Sequence, residues 1–256
     1  MLGRKVAPGW LWAASGKHPE ASDFFRAGSA FPLMKHFSEW VDKGYRELAK
    51  GGIRTGLLSW RFWVRGSEKE GLAIGLLKDS SDRMGRSYPF MAMGTGPLRG
   101  WEEHWDLLPF ACEGAWERME SLSSRRFQDF RELERQVQMI MPPLSDWDAL
   151  ESGRGAAKAE PEGAAALKSG AGDLSGKREI VLRLDQDPLQ DPVERLGFCH
   201  SLLKGEAKIV PSALFMGGGL EDLFLAVFAR PLAAEDFSRL WSLSSERRGN
   251  GSRVSG

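Results

Sequence analysis

The hydrophobic pattern is clearest between residues 57 and 93, where three short apolar runs are separated by polar segments. The first run alternates two sets of side chains: Trp60, Phe62 and Val64 on one hand, and Arg61, Trp63 and Arg65 on the other. A period of two places successive side chains on opposite faces of a strand. The pattern therefore predicts a strand at this point, with one face turned towards the core.

The second run, residues 72–77, reads LAIGLL and contains no polar position. Such an uninterrupted apolar run is typical of a strand covered on both faces. Residues 66–71 (GSEKEG) join the two runs and have the length and composition of a hairpin loop, which favours antiparallel neighbours. The third run extends from Tyr88 to Met93, after a charged segment at residues 79–86. We expect three neighbouring strands with the charged connection at one end of the sheet.

Apolar spacings of three and four predict helices on either side of this central segment. The first covers residues 31–48 and stops at two glycines. A later helical pattern is interrupted near Leu108, because Pro109 removes a backbone donor and clashes with the preceding turn. Further helices are expected at residues 126–141, 221–228 and 234–241, strands are expected at residues 9–14, 179–184 and 211–216, and residues 193–203 are ambiguous.

Residues 145–177 change in character, with many Ala, Gly, Glu, Lys and Ser residues and few large apolar ones. Such a segment cannot bury enough surface to offset the conformational entropy lost on ordering it. We predict a flexible linker or insertion at residues 145–177, with the flexible part starting near Ser152. It would join a part at residues 1–144 to a part at residues 178–243 that completes the same domain, and residues 244–256 are predicted to be a disordered tail.

Composition and charge exclude several classes of protein. The 256 residues contain 35 Lys and Arg and 35 Asp and Glu, so the formal net charge is zero and the chain lacks the basic excess of a general nucleic-acid binder. No apolar stretch approaches the length needed to span a membrane, so no membrane insertion is expected. The two cysteines lack a metal-type spacing and suit a reducing cytosol, which favours a cytoplasmic protein without a metal site.

The charged connection holds the best candidate site, formed by Asp82, Arg83 and Arg86 beside Gly85. Two guanidinium groups next to a glycine could bind a carboxylate or a phosphate through forked hydrogen bonds. Alternatively, Asp82 pairs with one of the arginines and locks the loop internally, and Arg61 could join either arrangement. Ser80 and Ser81 lie outside a nucleophile-elbow pattern. The four histidines are scattered, and no cofactor is predicted.

The same stretch carries a family resemblance. The sequence contains SWRF at residues 59–62, SDRMGR at residues 81–86 and YPF at residues 88–90, in that order. These three motifs resemble those of the TagF/ImpM family, which accompanies bacterial type VI secretion systems. The resemblance covers residues 9–140 well and residues 197–241 loosely. It marks as binding or family-motif positions, which could equally be structural, Trp60, Arg61, Phe62, Ser81, Asp82, Arg83, Gly85, Arg86 and Pro89.

The resemblance and the non-alternating run at residues 72–77 together predict an α/β fold. We expect a three-layer α-β-α sandwich around one mostly antiparallel sheet of five or six strands.

The resemblance also implies a function. Family members act as cytoplasmic accessory factors that restrain type VI secretion after translation. Their expected partner is the forkhead-associated scaffold protein of the system, or another sheath or membrane-complex component. The chain is then a binding protein and not an enzyme. The alternative is a small-molecule or phosphate-handling enzyme that uses the loop containing Arg83 and Arg86.

Overall fold

The computed structural model describes residues 9–50, 57–154, 168–169, 174, 178–184, 192–207, 209–220 and 222–243. Within these residues, eight strands form one sheet in the order β2-β1-β5-β4-β3-β7-β8-β6. The strands are β1 (Leu11–Gly16), β2 (Phe25–Gly28), β3 (Ser59–Arg65), β4 (Gly71–Lys78), β5 (Phe90–Pro97), β6 (Glu179–Leu184), β7 (Ala213–Gly218) and β8 (Leu223–Phe228).

All seven strand pairings in this sheet are antiparallel. Strands β3, β4 and β5 are neighbours, as the hydrophobic pattern predicts, and β3 pairs with β4 from Ser59 opposite Lys78 to Arg65 opposite Leu72. On its other side β3 pairs with β7, where Phe62 lies opposite Phe215. The C-terminal strands therefore extend the same sheet and do not form a separate one.

Seven α-helices accompany the sheet in the described part of the chain. They are α1 (Pro32–Lys50), α2 (Leu108–Ala111), α3 (Glu113–Ser124), α4 (Phe130–Gln138), α5 (Trp147–Gly153), α6 (Pro192–Ala207) and α7 (Ala234–Ser242). A short 3-10 helix, Trp105–Leu107, precedes α2. Pro109 lies at the start of α2, so the helical segment restarts where the sequence predicts an interruption. None of the described helices is long and apolar enough to cross a membrane.

The sheet separates two hydrophobic cores. Helices α1 and α7 pack on one face, where Phe37 and Phe237 join Trp60, Phe62 and Phe215 of the sheet. Helices α2, α3, α4 and α6 pack on the other face, around sheet residues that include Trp12, Trp63 and Ile74. The predicted three-layer α-β-α sandwich around one mostly antiparallel sheet is confirmed, although the strand count was underestimated.

The contact between α1 and α7 depends on a glycine. Gly44 is buried in α1, and a Cβ atom there would lie 2.4 Å from the ring of Phe237. Atoms cannot approach so closely, so a larger side chain would force the helices apart.

Two elements correct the sequence predictions. The apolar run predicted as a helix at residues 221–228 is strand β8, and it is hydrogen-bonded between β7 and β6. A run of six apolar residues fits a buried helix or a buried strand equally well by periodicity. The ambiguous segment at residues 193–203 lies within helix α6. Strand β2, in a segment with no predicted element, is paired with β1.

The first residues of the segment predicted as a linker or insertion, residues 145–177, form helix α5, which ends at Gly153, close to the predicted start of the flexible part. Asp146 caps this helix by accepting a hydrogen bond from the Ala149 N–H. The Trp147 Nε1–H donates to the Arg99 carbonyl oxygen at 2.8 Å, and its ring stacks on His104. Leu174 is also buried in the core. Residues 155–167, 170–173 and 175–177, together with the predicted tail at residues 244–256, lie outside the described residues.

Candidate functional site

The charged connection between β4 and β5 lies at the end of the sheet where β1 ends. Ser81 and Ser87 form an isolated antiparallel bridge across it, so residues 81–87 make a closed loop. Pro89 is buried behind the loop, and a Cβ atom at Gly16 would lie 2.0 Å from the Pro89 carbonyl oxygen. This close approach brings the segment after β1 against the base of the loop.

Asp82 organises the loop. Its carboxylate is buried and accepts hydrogen bonds from the backbone N–H groups of Met84 and Arg86, both at 3.0 Å. It also accepts from Arg86 Nε at 2.7 Å and forms an ion pair with Lys17 Nζ at 3.0 Å. Removal from water by itself would raise the pKa of Asp82, but the bonds from Lys17 and from the loop outweigh that effect and lower the pKa to about 2.

The two arginines of the loop are fixed to the segment that follows β1. Arg83 Nη2 donates to the Glu20 carbonyl oxygen at 2.7 Å, and the Arg83 backbone N–H donates to the Ala21 carbonyl oxygen at 2.8 Å. Arg86 Nη2 donates to the Ser22 carbonyl oxygen at 2.9 Å, in addition to its bond with Asp82. The two guanidinium groups therefore have separate partners, and the internal locking arrangement is the one present.

The tip of the loop projects away from this hydrogen-bond network. Gly85 adopts a φ of +76°, a conformation that L-residues with side chains rarely adopt, and a Cβ atom added there would meet no atom within 4 Å. Met84 beside it is 75% exposed, whereas Asp82 beneath it is buried. The loop thus exposes the apolar Met84 side chain to solvent, while hydrogen bonds to the buried Asp82 carboxylate hold its backbone in place.

Arg61 does not join the loop. It points from β3 to helix α3, where Nε and Nη2 donate to the two carboxylate oxygens of Glu120 at 2.8 and 3.0 Å, and Nη1 donates to Glu113 at 2.7 Å. Its guanidinium also lies 5.8 Å from the centre of the Trp116 ring. Burial alone would lower the pKa of Arg61, but the two glutamates outweigh this and raise it.

Trp60 and Phe62 lie on the opposite face of β3 and are fully buried. The Phe62 ring stacks on Phe37 of α1 with the ring centres 5.1 Å apart. The structure therefore brings together Ser81, Asp82, Arg83, Gly85, Arg86 and Pro89. It places Trp60 and Phe62 in the core and the partly buried Arg61 against helix α3, where they support the sheet and its helices.

A cavity of about 540 Å³ lies beside the loop, between the segment after β1, strand β2 and helix α4. Phe24, Arg26, Arg83 and Phe130 line it together with buried aromatic side chains. Phe24 is 41% exposed and Phe130 is 45% exposed. Phe24, Arg26 and Phe130 are not among the site residues predicted from the sequence. Phe24 and Phe130 are distant in the chain, and only the fold brings both of them to one cavity.

Burial shifts the pKa values of two further side chains of α6, Cys199 and His200. Burial raises the pKa of the Cys199 thiol to about 12 and lowers the pKa of His200 to about 4, so the thiol stays protonated and the imidazole stays neutral. Within the described residues, no group of three or more His, Cys, Asp or Glu side chains could hold a metal ion.

Comparisons with known proteins show one family and one solved structure to which this chain is similar. The family model of the TagF N-terminal domain, described as type VI secretion system-associated, matches residues 13–141. Among solved structures, the chain is similar to the crystal structure of PA0076 from Pseudomonas aeruginosa PAO1, with 15% sequence identity and a TM-score of 0.49. That match covers 96% of this chain and 97% of the other. A search of curated proteins found no match.

Proposed function

The chain belongs to the TagF N-terminal domain family of type VI secretion system-associated proteins, and from this premise we propose that it restrains secretion after translation by binding another protein. The proposed partner is the forkhead-associated scaffold of the system, or another sheath or membrane-complex component. The proposed location is the cytoplasm. Repression would follow from stoichiometric binding, since a binder that favours the inactive state of its partner must bind the two states unequally.

The observation that carries this proposal is the fixed loop with Met84 at its tip. An exposed methionine on a mobile loop would lose conformational freedom on binding, which weakens association. Here the Asp82 carboxylate holds the backbone on both sides of Met84, because it accepts from the Met84 and Arg86 N–H groups. An apolar side chain presented in this way is suited to fill a pocket on a partner protein.

The state of the loop residues favours binding over catalysis. A carboxylate whose pKa is lowered to about 2 is a weak general base. Arg86 is engaged by Asp82, so Arg83 and Arg86 do not form the two-pronged anion site that the alternative, a small-molecule or phosphate-handling enzyme, would use.

The test is to titrate expression of the protein in its own host and to measure the secreted tube protein in the medium. Secretion is expected to decline in proportion to the ratio of this protein to its partner, and the scaffold is expected to co-purify. Full repression at levels far below those of the partner would indicate catalysis. Unchanged secretion after both deletion and overexpression would refute the proposed function.

A matched pair of variants tests the loop itself. Met84→Asp is expected to abolish co-purification of the partner, because it places a charge at the centre of an apolar contact. Met139→Asp is the control, since Met139 is 62% exposed at the end of α4 and lies outside the loop. Equal loss of binding in both variants, or in neither, would show that the loop is not the binding face.

A further inference from the structure

Strand β2 forms one edge of the sheet, and within the described residues no strand pairs with its outer side. It pairs with β1, where Ala14 lies opposite Ala27 and Ser15 lies opposite Arg26. Its four residues are an open edge with backbone donors and acceptors that another extended chain could use.

The register fixes which backbone groups face outwards. The Ser29 N–H donates to the Trp12 carbonyl oxygen at 2.7 Å. Hydrogen-bonded and non-hydrogen-bonded pairs alternate along an antiparallel ladder, so Ala27 bonds to β1 and Arg26 does not. The N–H and C=O groups of Arg26 and Gly28 therefore point away from the sheet, and an added strand would pair there.

A cavity lies on each side of this edge. The first, already described, lies on the side of α4 and is lined by aromatic rings and Arg83. The second, about 560 Å³, lies on the side of α1 and is lined by Ala13, Gly28 and Met34. Phe24 and Arg26 line both cavities. An extended peptide paired with β2 would direct alternate side chains into the two cavities, because successive side chains of a strand point to opposite faces.

The second cavity is lined by Glu39, Asp42 and Glu134 as well as by Arg26, whereas the charges of the first cavity, beside Arg83, are unequally matched. Each of the three carboxylates that line the first cavity has a partner: Glu20 pairs with Arg126 at 3.9 Å, Asp23 pairs with Arg86 at 3.5 Å, and Asp129 accepts from the Glu132 N–H at 2.7 Å. Within the described residues, neither Arg26 nor Arg83 has a carboxylate partner. The Arg26 guanidinium lies 5.8 Å from the centre of the exposed Phe24 ring. An acidic group on an incoming chain would supply the missing charge.

We infer that β2 is a docking edge for an extended, acidic segment of a partner protein, which adds to the sheet as a ninth strand. Main-chain hydrogen bonds form at Arg26 and Gly28. A carboxylate of the segment pairs with Arg26 or Arg83, and an apolar side chain enters the aromatic cavity. This inference deepens the proposed function by giving the chemistry of the bound segment. It rests on the proposed function only for the claim that the segment belongs to a component of the secretion system.

The inference can be tested without a secretion assay. A phage-displayed library of random peptides is selected on the full chain, and the enriched peptides are synthesised with a fluorescent label. We expect them to alternate apolar residues with an acidic position. Their affinity should fall at least about tenfold for Arg26→Glu and for Arg83→Glu, the scale of a lost charge-assisted contact. Arg99→Glu is the matched control, because Arg99 is an exposed arginine at the opposite end of β5.

Amide hydrogen exchange provides the second measurement, since strand addition should slow exchange at Arg26 and Gly28 when the peptide is bound. Circular dichroism confirms that each variant is folded. Failure to enrich acidic peptides, equal binding by the arginine variants and the control, or unchanged exchange at β2 would overturn the inference. Self-association of the full chain that Arg26→Pro abolishes would show instead that a second copy occupies the edge. Any of these results leaves the titration of secretion as a separate test of the proposed function.

Discussion

At the scale of single residues, Asp82 shows how one buried carboxylate defines a surface. It holds Lys17, two backbone N–H groups and the Arg86 side chain. All four partners are donors, so the carboxylate is satisfied only while the loop keeps its conformation. Removing it would leave these donors without their acceptor at a buried position, which is more costly than losing an exposed contact.

Asp82→Ala is therefore expected to lower the midpoint of thermal unfolding by several degrees, about 3–8 °C for a chain of this size. Asp23→Ala is the control, because Asp23 also contacts Arg86 but is mostly exposed, and its effect should be within about 2 °C. The folded-state pKa of Asp82 is lowered to about 2, so its stabilisation is present above the unfolded-state pKa and is lost as pH falls towards 2. Equal midpoints for the two variants would show that other contacts hold the loop.

His200 gives the protein a second dependence on pH. It is fully buried, its Nδ1 contacts the Leu196 carbonyl oxygen at 2.7 Å, and its Nε2 accepts from the Trp63 indole at 3.5 Å. Both contacts suit a neutral ring. Burial dominates and lowers the pKa of His200 to about 4, whereas the unfolded chain binds a proton near the ordinary value of about 6.5.

Below about pH 6.5 the unfolded state binds more protons, so stability is expected to fall as pH is lowered towards 4. The expected loss is about 2 kcal/mol between pH 7 and pH 5, measured by urea unfolding at each pH. Burial also lowers the pKa of His18, so His18 adds to the loss of stability as pH falls. His200→Gln is the comparison, since glutamine does not bind a proton in this pH range. The free energy of unfolding of this variant should therefore depend less on pH. An identical slope in this variant would assign the effect to other groups.

At the scale of elements, Arg61 joins strand β3 to helix α3. Its side chain is only 19% exposed and pairs with both Glu113 and Glu120. A single strand residue thereby neutralises two carboxylates that lie two turns apart on the same face of α3. The forked contact with Glu120 fixes the orientation of the guanidinium. A second arginine of the same strand, Arg65, pairs with Glu102 at 2.9 Å, and both of these side chains are more exposed than Arg61 and its partners.

Arg61→Met is expected to lower the free energy of unfolding by about 2–4 kcal/mol, because it leaves two partly buried glutamates without their cation. Arg65→Met should change it by less than about 1 kcal/mol, as is usual for an exposed pair. Chemical unfolding of both variants gives the comparison, and a double-mutant cycle of Arg61 with Glu120 isolates the pair. Similar losses for the two arginines would show that burial does not strengthen the Arg61 contact.

At the scale of the whole molecule, the sheet does not end with the segment that carries the family motifs. Strand β3 is paired with β7 from Ser59 to Val64, and Phe215 of β7 packs against the Phe62 ring at 5.3 Å. Without the C-terminal strands, β3 would become a long apolar edge, which is the kind of surface that promotes aggregation. The two parts of the sequence are therefore expected to depend on each other for stability.

A chain ending at residue 160 is expected to aggregate, or to bind an apolar dye and unfold without a cooperative transition. Co-expression of residues 1–160 with residues 161–256 as two chains is the control, because every strand pairing can then form. Size-exclusion chromatography and thermal unfolding measure both. A monomeric, cooperatively unfolding fragment of residues 1–160 would show that the N-terminal part folds alone.

What the sequence determined by itself was local. The alternation at Trp60, Phe62 and Val64, the uninterrupted run at residues 72–77 and the glycine-rich connection between them specify β3, β4 and their antiparallel hairpin, because period and turn chemistry act over a few residues. Pro109 likewise marked the helix boundary, since a missing N–H acts on its own turn. The three motifs in order identified the family.

The tertiary structure decided everything that depends on partners distant in the chain. The apolar run of β8 became a strand because β6 and β7 supply its hydrogen bonds. Helix α5 formed in a segment of low apolar content because Trp147 reaches the Arg99 carbonyl oxygen and the His104 ring. Arg83 and Arg86 received separate partners, and Arg26 came to lie at an open edge beside them. Which contacts a side chain makes depends on which segments the fold brings within a few ångströms, and periodicity carries no information about that.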